Sequence, residues 1–277
     1  MIDRVCISIN NQCNLKCKYC HFAEKKESIK VGEMDVFKIL YNIIRYIEDN
    51  NVPKFKIGFV GNGEPILNFN DLRKYIVYID KYLKSGKIEA YTITNGILLK
   101  EEMLKFFREH HVDVGFSIDG IESVHNKNRC GTHAKVMEKI ELYRTIFGKY
   151  PSMNCTVGRD VLNHADETIE FFEKFGNRIT FSRMIGKYGI SLDEFHDFLK
   201  KAAEKLNVRT GGYDCTMYGG KCGAGINNFF FANGNVYICG NCIDLEPLGK
   251  SDMPLSELEG LNFEFDRNKC YKEVSCV

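Results

Sequence analysis

Residues 5–22, VCISINNQCNLKCKYCHF, join a short apolar run to three closely spaced cysteines. The run VCISI at 5–9 predicts a buried β-strand. Cys13, Cys17 and Cys20 follow in the loop directly after it. Because loops at the carboxyl ends of strands carry the chemistry of parallel α/β folds, this stretch predicts strand one of such a fold with a thiol-rich site at its end.

The pattern beyond residue 22 alternates helical and strand-like segments. Strands are predicted at 55–60, 88–94, 112–118, 153–157 and 178–182, and amphipathic helices lie between them, one over 33–50 and one from Asn70, capped by Asn or Asp, to about Lys84. Parallel strands need such helical crossovers, so the six βα units predict an α/β fold with a parallel sheet. Six units are too few for a closed eight-stranded barrel. We expect a partial (β/α)6 TIM-like barrel, with a doubly wound sheet as the alternative.

The pattern changes after about residue 207 to glycine, cysteine and short segments. The runs INNFFFA and NVYIC, joined by Asn233 and Gly234, predict a β-hairpin. We therefore divide the chain into a barrel at 1–206 and a small cysteine-rich domain at 207–277.

Composition excludes several functional classes. The chain has 277 residues and a net charge of +1, so no strong field recruits nucleic acid or an anionic membrane. No apolar run approaches the length of a membrane-spanning helix, and the N-terminus lacks the apolar core of a secretory signal. A cytoplasmic location is expected. Twelve cysteines in a reducing compartment favour metal or redox chemistry over disulfides.

The spacing Cys13-x3-Cys17-x2-Cys20 differs from the paired arms of structural zinc sites. His21 adjoins Cys20 and cannot easily close a tetrahedron, although an unrelated zinc loop stays an alternative. Short multi-cysteine loops suit iron–sulfur cubanes. Three thiolates leave one iron open, and the amine and carboxylate of S-adenosylmethionine (SAM) would fill that position.

With Tyr19 as the aromatic residue before its last cysteine, the triad resembles the signature of the radical SAM enzymes. A second resemblance follows strand two, where GNGEP at 61–65 is similar to the Gly-Gly-Glu-Pro motif of that family. The resemblance implies that Gly63 and Glu64 receive the SAM ammonium. Asn62 stands where the family has its first glycine, which is expected to change the backbone freedom of the loop.

Two further loops extend the resemblance. Strand three ends at Asn95, and the segment FSIDGIESVHNKNR at 116–129 is similar to one in the peptide- and protein-modifying radical SAM group. That likeness implies that Ser117 and Arg129 hold the carboxylate and ribose of SAM, with Asp119 as a further binding residue. The alternative is that Ser117 and Asp119 only shape a turn and that Arg129 is a solvated surface charge.

The C-terminal cysteines resemble the SPASM and twitch auxiliary-cluster domains. They are Cys215, Cys222, Cys239, Cys242, Cys270 and Cys276. The spacing Cys222-x11-Gly234-x4-Cys239 matches the opening of those domains, but the dense second block of a full SPASM domain is missing. One auxiliary [4Fe–4S] cluster is therefore expected rather than two, held by Cys222, Cys239 and two of the other four. A zinc site is the alternative.

Together these resemblances imply an oxidoreductase-type radical SAM enzyme. It would cleave SAM to a 5′-deoxyadenosyl radical and abstract hydrogen from a ribosomally made peptide. The product would be a crosslink, a thioether or an epimerised residue. Formylglycine formation in a sulfatase is an alternative; those maturases usually have an aspartate general base after the hairpin cysteine, where this chain has Gly240, with Asp244 nearby. Small-molecule dehydrogenation and a non-catalytic iron–sulfur or zinc module are the others.

The expected partners follow from this chemistry. They are a peptide or protein substrate and an electron donor such as flavodoxin or ferredoxin. Because strand one begins near Val5, we expect no N-terminal leader-binding domain, and a separate recognition protein is a further expected partner.

Overall fold

The computed structural model describes residues 1–20, 22–23, 34–176, 179–208, 213–226 and 228–275. Six parallel strands follow one another in sheet order, each paired with the next in the chain. They are β1 Arg4–Ile7, β2 Phe55–Phe59, β3 Ile88–Thr94, β4 Val112–Ser117, β5 Ser152–Val157 and β6 Ile179–Arg183. The predicted α/β class with a parallel sheet is confirmed.

Helices lie between these strands, as parallel pairing requires, and the last three helices follow β6. They are α1 Val36–Asp49, α2 Phe69–Tyr78, α3 Asp80–Lys84, α4 Glu101–Glu109, α5 Glu122–Asn128, α6 His133–Phe147, α7 Arg159–Leu162, α8 Ala165–Glu173, α9 Leu192–Ala203, α10 Leu255–Glu259 and α11 Tyr271–Ser275. None of these described helices is long and apolar enough to cross a bilayer.

Burial of alternate strand residues holds the helices against the sheet. Val5 and Ile7 of β1 are fully buried, as are Phe55, Ile57 and Phe59 of β2, and all belong to the main core. Successive side chains of a strand point to opposite faces, so these residues mark the helix-facing side of the sheet. The residues between them, such as Cys6, face the other side.

One predicted helix is wrong in detail. The segment expected to run from Asn70 to about Lys84 is two helices, α2 and α3, which meet at Ile79. The N-cap residue is an asparagine, as predicted, but it makes no capping bond through its side chain. Asn68 precedes α2 without a side-chain capping bond, because its Oδ1 accepts a hydrogen bond from Asn10 Nδ2 at 2.8 Å instead. A tertiary hydrogen bond therefore uses the side chain that would otherwise cap the helix.

The predicted hairpin is present as β9 Asn228–Ala232 and β10 Asn235–Tyr237, following the short parallel pair β7 Tyr213–Asp214 and β8 Lys221–Cys222. Its turn residues Asn233 and Gly234 have φ of 55° and 78°, the left-handed geometry that an Asn-Gly turn favours. Strand β9 pairs in parallel with β1, and β11 Gly249–Lys250 continues beyond β10. The sheet order is thus β11-β10-β9-β1-β2-β3-β4-β5-β6. The division at residues 206 and 207 stays a prediction.

Candidate functional site

The loops that follow β1, β2, β3 and β4 carry the candidate residues. These four strands are parallel neighbours, so their carboxyl ends meet at one edge of the sheet. Cys13, Cys17 and Cys20 follow β1, and Glu64 follows β2. Asn95 follows β3 directly. The fold thereby gathers residues from four separate motifs at one place.

Glu64 lies at the centre of this edge and is 3% exposed. Its Oε1 accepts hydrogen bonds from Thr94 Oγ1 at 2.6 Å and Ile66 N at 3.1 Å, and its Oε2 accepts one from Asn95 N at 2.8 Å. Burial raises the pKa of Glu64, while these three donors counteract the shift. The loop thus holds a buried carboxyl group in one fixed orientation.

Glycine is required at position 63 because the cysteine loop crosses directly over it. A Cβ there would collide with the carbonyl oxygen of Gln12 and with Oδ1 of Asn10. The same approach lets Glu64 N donate to the Gln12 oxygen at 2.7 Å. The Gly-Glu pair therefore docks the loop after β2 onto the loop after β1.

Asn62, the departure from the family motif, does not adopt a positive φ. Its backbone N donates to Ser8 Oγ at 3.1 Å and its side-chain Nδ2 to Asn11 Oδ1, also at 3.1 Å. The replacement of glycine by Asn62 therefore does not act mainly through the freedom of the backbone, as had been expected. Asn62 differs from glycine here by what its side chain binds.

The three cysteines of the first loop differ in exposure. Cys13 is exposed, whereas Cys17 and Cys20 are half-buried. Asn95 Nδ2 lies 3.9 Å from Cys13 Sγ. Burial raises the pKa of Cys17 to about 11, an effect that the positive charge of Arg129 partly offsets. A bound metal centre would supply the further positive charge that these thiols need to ionise.

Asp119 is fully buried and joins the cysteine loop to the region after β4. Its Oδ2 accepts hydrogen bonds from Tyr19 OH at 2.6 Å and from Arg129 Nε at 3.0 Å. Its Oδ1 accepts one from Thr156 N at 3.1 Å. Burial alone would lower the pKa of Arg129, but the charge of Asp119, together with Tyr19, Cys17 and the hydrogen bond to Asp119, outweighs it and the net shift is upward. The buried ion pair rules out the alternative of a solvated surface arginine.

His125 also belongs to this network, although the sequence analysis did not single it out. It is fully buried, and its Nδ1 accepts a hydrogen bond from Asp119 N at 3.2 Å. Its Nε2 lies 3.1 Å from Thr132 Oγ1, which donates to Arg129 O at 2.7 Å. Burial lowers the pKa of His125 to about 4, so the ring is neutral at physiological pH. A lone histidine gives no sequence signal for such a role.

Ser117 is half-buried at the end of β4, two residues before Asp119. The next residue, Ile118, donates its backbone N–H to Asn154 O at 2.9 Å. The hydroxyl of Ser117 therefore lies at the same edge as the other candidates. This position agrees with the expected binding role and does not by itself test it.

The C-terminal cysteines form a second group. Cys239 Sγ lies 3.4 Å from Cys242 Sγ, and Cys222, Cys242 and Cys270 are buried. Burial is the main cause that raises the pKa of Cys215 to about 12, and negative charge on Cys239, Cys270 and Cys222 contributes to the same shift. The five described thiols are thus close enough to interact electrostatically. Cys276, the sixth candidate, lies outside the described residues.

The cysteine thiols and the charged side chains beside them suit the iron–sulfur cluster and the SAM molecule that the sequence predicts. In the described part of the chain, no three His, Cys, Asp or Glu side chains are arranged for a single metal ion. Thiol-only donors are instead the usual ligands of iron–sulfur clusters. Glu64 and Arg129, which interact electrostatically with each other and with the cysteine loop, offer an anion and a cation for the two charged ends of an amino acid. The residues present therefore fit a [4Fe–4S] cluster with SAM beside it.

Known proteins share these features. The profile of the Radical SAM superfamily matches residues 7–172, more than half of the chain. A cysteine-type anaerobic sulfatase-maturating enzyme of Clostridium novyi is 27% identical over 173 residues, which are 60% of this chain and 46% of that enzyme. An uncharacterized protein of Methanocaldococcus jannaschii is 28% identical over 267 residues, or 88% of this chain and 86% of that protein. The radical SAM cyclopropyl synthase TigE of Paramaledivibacter caminithermalis is 24% identical over 215 residues, 72% of this chain and 43% of that enzyme.

Solved structures support the fold. The chain anSMEcpe with bound AdoMet and Cp18Cys peptide superposes with a TM-score of 0.73 at 24% identity, covering 96% of this chain and 81% of that one. BtrN in complex with AdoMet and 2-DOIA has a TM-score of 0.51 at 16% identity, covering 95% and 83%. With the family match, the chain therefore belongs to the Radical SAM superfamily and is a radical SAM enzyme that uses a [4Fe–4S] cluster and SAM.

Proposed function

We propose that this enzyme cleaves SAM reductively and uses the 5′-deoxyadenosyl radical to abstract a hydrogen atom from a peptide, in the maturation of a ribosomally made product. The observation that carries the proposal is the presence of two cysteine groups next to one sheet, one in the loop beside Glu64 and one directly after the hairpin of β9 and β10. Relatives named as sulfatase-maturating enzymes and as a cyclopropyl synthase, and a similar fold with a bound peptide, support it.

Cys13, Cys17 and Cys20 would hold the SAM-binding cluster. When bound, that cluster supplies the electron that splits SAM into methionine and the radical. The chain's own residues orient the cofactor. Glu64 receives the ammonium in a charge-assisted hydrogen bond, since its carboxylate is fixed by three donors. Asn95 holds the cysteine loop through Asn14, whose Oδ1 accepts from Asn95 Nδ2 at 2.9 Å.

Arg129 receives the SAM carboxylate in this proposal, with Ser117 beside it. Its Nε is committed to Asp119, so the two terminal amino groups are not needed for that ion pair. Asp119 and Tyr19 then position the guanidinium rather than touching SAM; Tyr19 contributes its OH bond to Asp119 and a ring lying 5.4 Å from the guanidinium carbon.

The auxiliary cluster is assigned to Cys215, Cys222, Cys239 and Cys270. Cys215 and Cys270 each interact electrostatically with both Cys222 and Cys239, which supports the choice of these two as the other ligands. A serine at any one of these four positions should lower the iron content toward about four atoms per chain, against about eight in the unchanged protein. Cys242→Ser and Cys276→Ser should keep the full iron content.

Two observations favour peptide maturation over formylglycine formation. Gly240 occupies the position of the expected aspartate, and a Cβ there would lie 3.1 Å from the Phe230 ring. Asp244, the other candidate base, forms an ion pair with Lys272 at 2.6 Å. These two positions therefore argue against the general base expected of a sulfatase maturase.

Formylglycine formation is the second candidate. It is favoured by the curated relatives, among which cysteine-type and serine-type sulfatase-maturating enzymes recur. Both candidates need a peptide, a source of electrons and SAM. They differ in the product.

The test uses protein reconstituted with iron and sulfide, a chemical reductant and SAM. Formation of 5′-deoxyadenosine establishes the cleavage. A candidate precursor peptide from the neighbouring genes and a sulfatase peptide are then supplied separately. In each peptide the carbon-bound hydrogens are replaced by deuterium. Transfer of deuterium from the precursor into 5′-deoxyadenosine supports peptide maturation. Transfer only from the sulfatase peptide, with an aldehyde in the product, would replace it by formylglycine formation.

A further inference from the structure

A small surface patch of charged and aromatic side chains lies beside the cysteine loop. Lys18 Nζ lies 3.6 Å from Asp160 Oδ2, and Lys127 Nζ lies 2.6 Å from Asp160 Oδ1. The Tyr188 ring completes the patch, with Lys18 Nζ 5.0 Å and Lys187 Nζ 5.4 Å from its centroid. We call these five residues the lysine patch. The segments that follow β1, β4, β5 and β6 thus meet at one surface.

The lysine patch is positively charged and accessible to solvent. Its three lysines and one aspartate give it a net charge of +2, whereas the whole chain carries +1. All three lysines and Tyr188 are exposed. The turn that carries Tyr188 is closed by a hydrogen bond from Gly189 N to Gly186 O at 2.9 Å, which presents the ring outward. Tyrosine is enriched at protein interfaces, so an exposed ring between cations is typical of a contact surface for another protein.

Two neighbouring side chains show that the patch and Arg129 lie on opposite sides of the cysteine loop. Tyr19 points inward, since its OH donates to the buried Asp119 at 2.6 Å. Lys18 points outward to the patch, while its backbone N donates to Asn128 O at 2.9 Å and holds the loop against α5. The loop therefore has an inner side that faces the buried ion pair and an outer side that faces solvent.

The outer side is also close to the cluster ligands along the chain. Lys18 is joined by a peptide bond to Cys17, one of the three cysteines proposed to hold the SAM-binding cluster. Each cleavage of SAM consumes an electron that comes from outside the chain. A protein that delivers this electron approaches from the solvent side of the loop, whereas a peptide has to reach the radical on the inner side. The position of the patch therefore favours an electron donor over the peptide.

We propose that the lysine patch is the docking surface for a small electron-carrying protein with an acidic surface around its redox group. The inference rests on the proposed cluster at Cys13, Cys17 and Cys20. One electron passes from the donor to the cluster in the docked complex, and no proton or atom is transferred. Opposite charges on the two surfaces raise the association rate, an effect that salt screens. Tyr188 supplies the contact at the centre of the patch.

The test uses an acidic flavodoxin as the donor and the reconstituted enzyme without SAM. Calorimetry gives the affinity for oxidised flavodoxin, and stopped-flow absorbance gives the rate at which reduced flavodoxin reduces the enzyme. Both are measured at ionic strengths of about 0.01 M and about 1 M, between which the Debye length falls from about 30 Å to about 3 Å. Lys187→Glu reverses one charge of the patch. Lys149→Glu is the matched control, because Lys149 is exposed and precedes β5 at the opposite edge of the sheet.

At low salt, Lys187→Glu should slow reduction by flavodoxin and weaken its binding, each about tenfold, whereas Lys149→Glu should match the unchanged protein. At high salt the difference should fall below about twofold, because screening removes the attraction. Tyr188→Ala should weaken binding at both salt concentrations, since a packing contact is not screened. Unchanged rates in Lys187→Glu, equal losses in the two glutamate variants, a loss that persists at high salt, or unchanged binding in Tyr188→Ala would overturn the proposal.

A small reductant separates docking from damage to the cluster. Reduced methyl viologen is a cation that needs no docking surface, so it should reduce Lys187→Glu at least as fast as the unchanged protein, at equal iron content. An equal slowing with viologen and flavodoxin would overturn docking as the cause. With viologen as the reductant, deuterium transfer from the precursor peptide should also be unchanged in Lys187→Glu, and a loss seen only there would assign the patch to the peptide instead.

Binding and reduction by flavodoxin are measured without peptide or SAM. A failure of peptide maturation would therefore leave these results intact, and a failure of flavodoxin to recognise the patch would leave the proposed function standing.

Discussion

Replacement of Glu64 by glutamine tests the SAM site most directly. The side chain keeps its shape but loses its charge, and an N–H2 group replaces one carboxylate oxygen. If Nε2 points toward Thr94, Ile66 N loses its acceptor; if it points toward Asn95, that N–H loses its acceptor. Either orientation leaves one buried donor unpaired, which should lower the free energy of unfolding by about 1–3 kcal/mol.

The effect on SAM is separate from that loss of stability. A charge-assisted hydrogen bond to the ammonium contributes roughly 1.5–3 kcal/mol, so the affinity for SAM should fall about tenfold or more. Iron content should not change, because Glu64 is not a cluster ligand. Glu170→Gln, an exposed position on α8, is the control for removing one carboxylate.

The assay is calorimetric titration of SAM into each reconstituted variant at a temperature well below its melting transition. Chemical denaturation on the same samples gives the unfolding free energy. SAM affinity equal to that of the unchanged protein would refute the role of Glu64, even if the variant is destabilised. A loss of iron in Glu64→Gln would instead show that the change disrupts the cysteine loop.

Three other predictions concern the cysteine loop and the network behind it. Changing Cys13, Cys17 and Cys20 together to alanine should leave about four irons per chain and abolish 5′-deoxyadenosine formation, which iron analysis and chromatography check. Asp119→Asn removes the partner of a buried arginine and should lower the unfolding free energy by about 3–5 kcal/mol in denaturant; a change below about 1 kcal/mol would contradict the buried ion pair. His125 has a pKa lowered from 6.5 to about 4 by burial, so it stabilises the fold fully above pH 6.5 and this contribution declines as the pH falls toward 4. His125→Gln should remove that part of the slope in pH-dependent unfolding, on the order of 1 kcal/mol per pH unit, and an unchanged slope would contradict the assignment.

The parts of the fold that follow local rules could be predicted from the sequence. Strand β3 occupies the predicted residues 88–94, because its alternating apolar pattern and tight flanking turns are typical only of a strand. The Asn233-Gly234 hairpin follows equally from turn chemistry. The break at Ile79 could not be predicted, since both α2 and α3 continue the same helical periodicity.

Tertiary polar contacts were the part that sequence reasoning missed. The hydrogen-bonded residues Asn11 and Asn233 are 222 residues apart, and no spacing rule links two asparagines at that distance. The role of Asp119 was incompletely predicted for the same reason. The motif indicates a residue near SAM, but only the folded chain shows that its carboxylate is occupied by Tyr19 and Arg129. Such contacts depend on which loops the sheet order brings together.

Strand β1 explains how one chain places two thiol groups around a single edge. It pairs with β2 on one side and with β9 on the other, so Cys6 lies opposite Gly58 and Phe230 in register. The cysteine loop therefore emerges between the Glu64 loop and the hairpin turn. A shift of β9 by one residue would move Asn233 away from Asn11 and reverse the faces of Phe229 and Phe230. The buried phenylalanines of β9 thus fix the register on which the contact between the two regions depends.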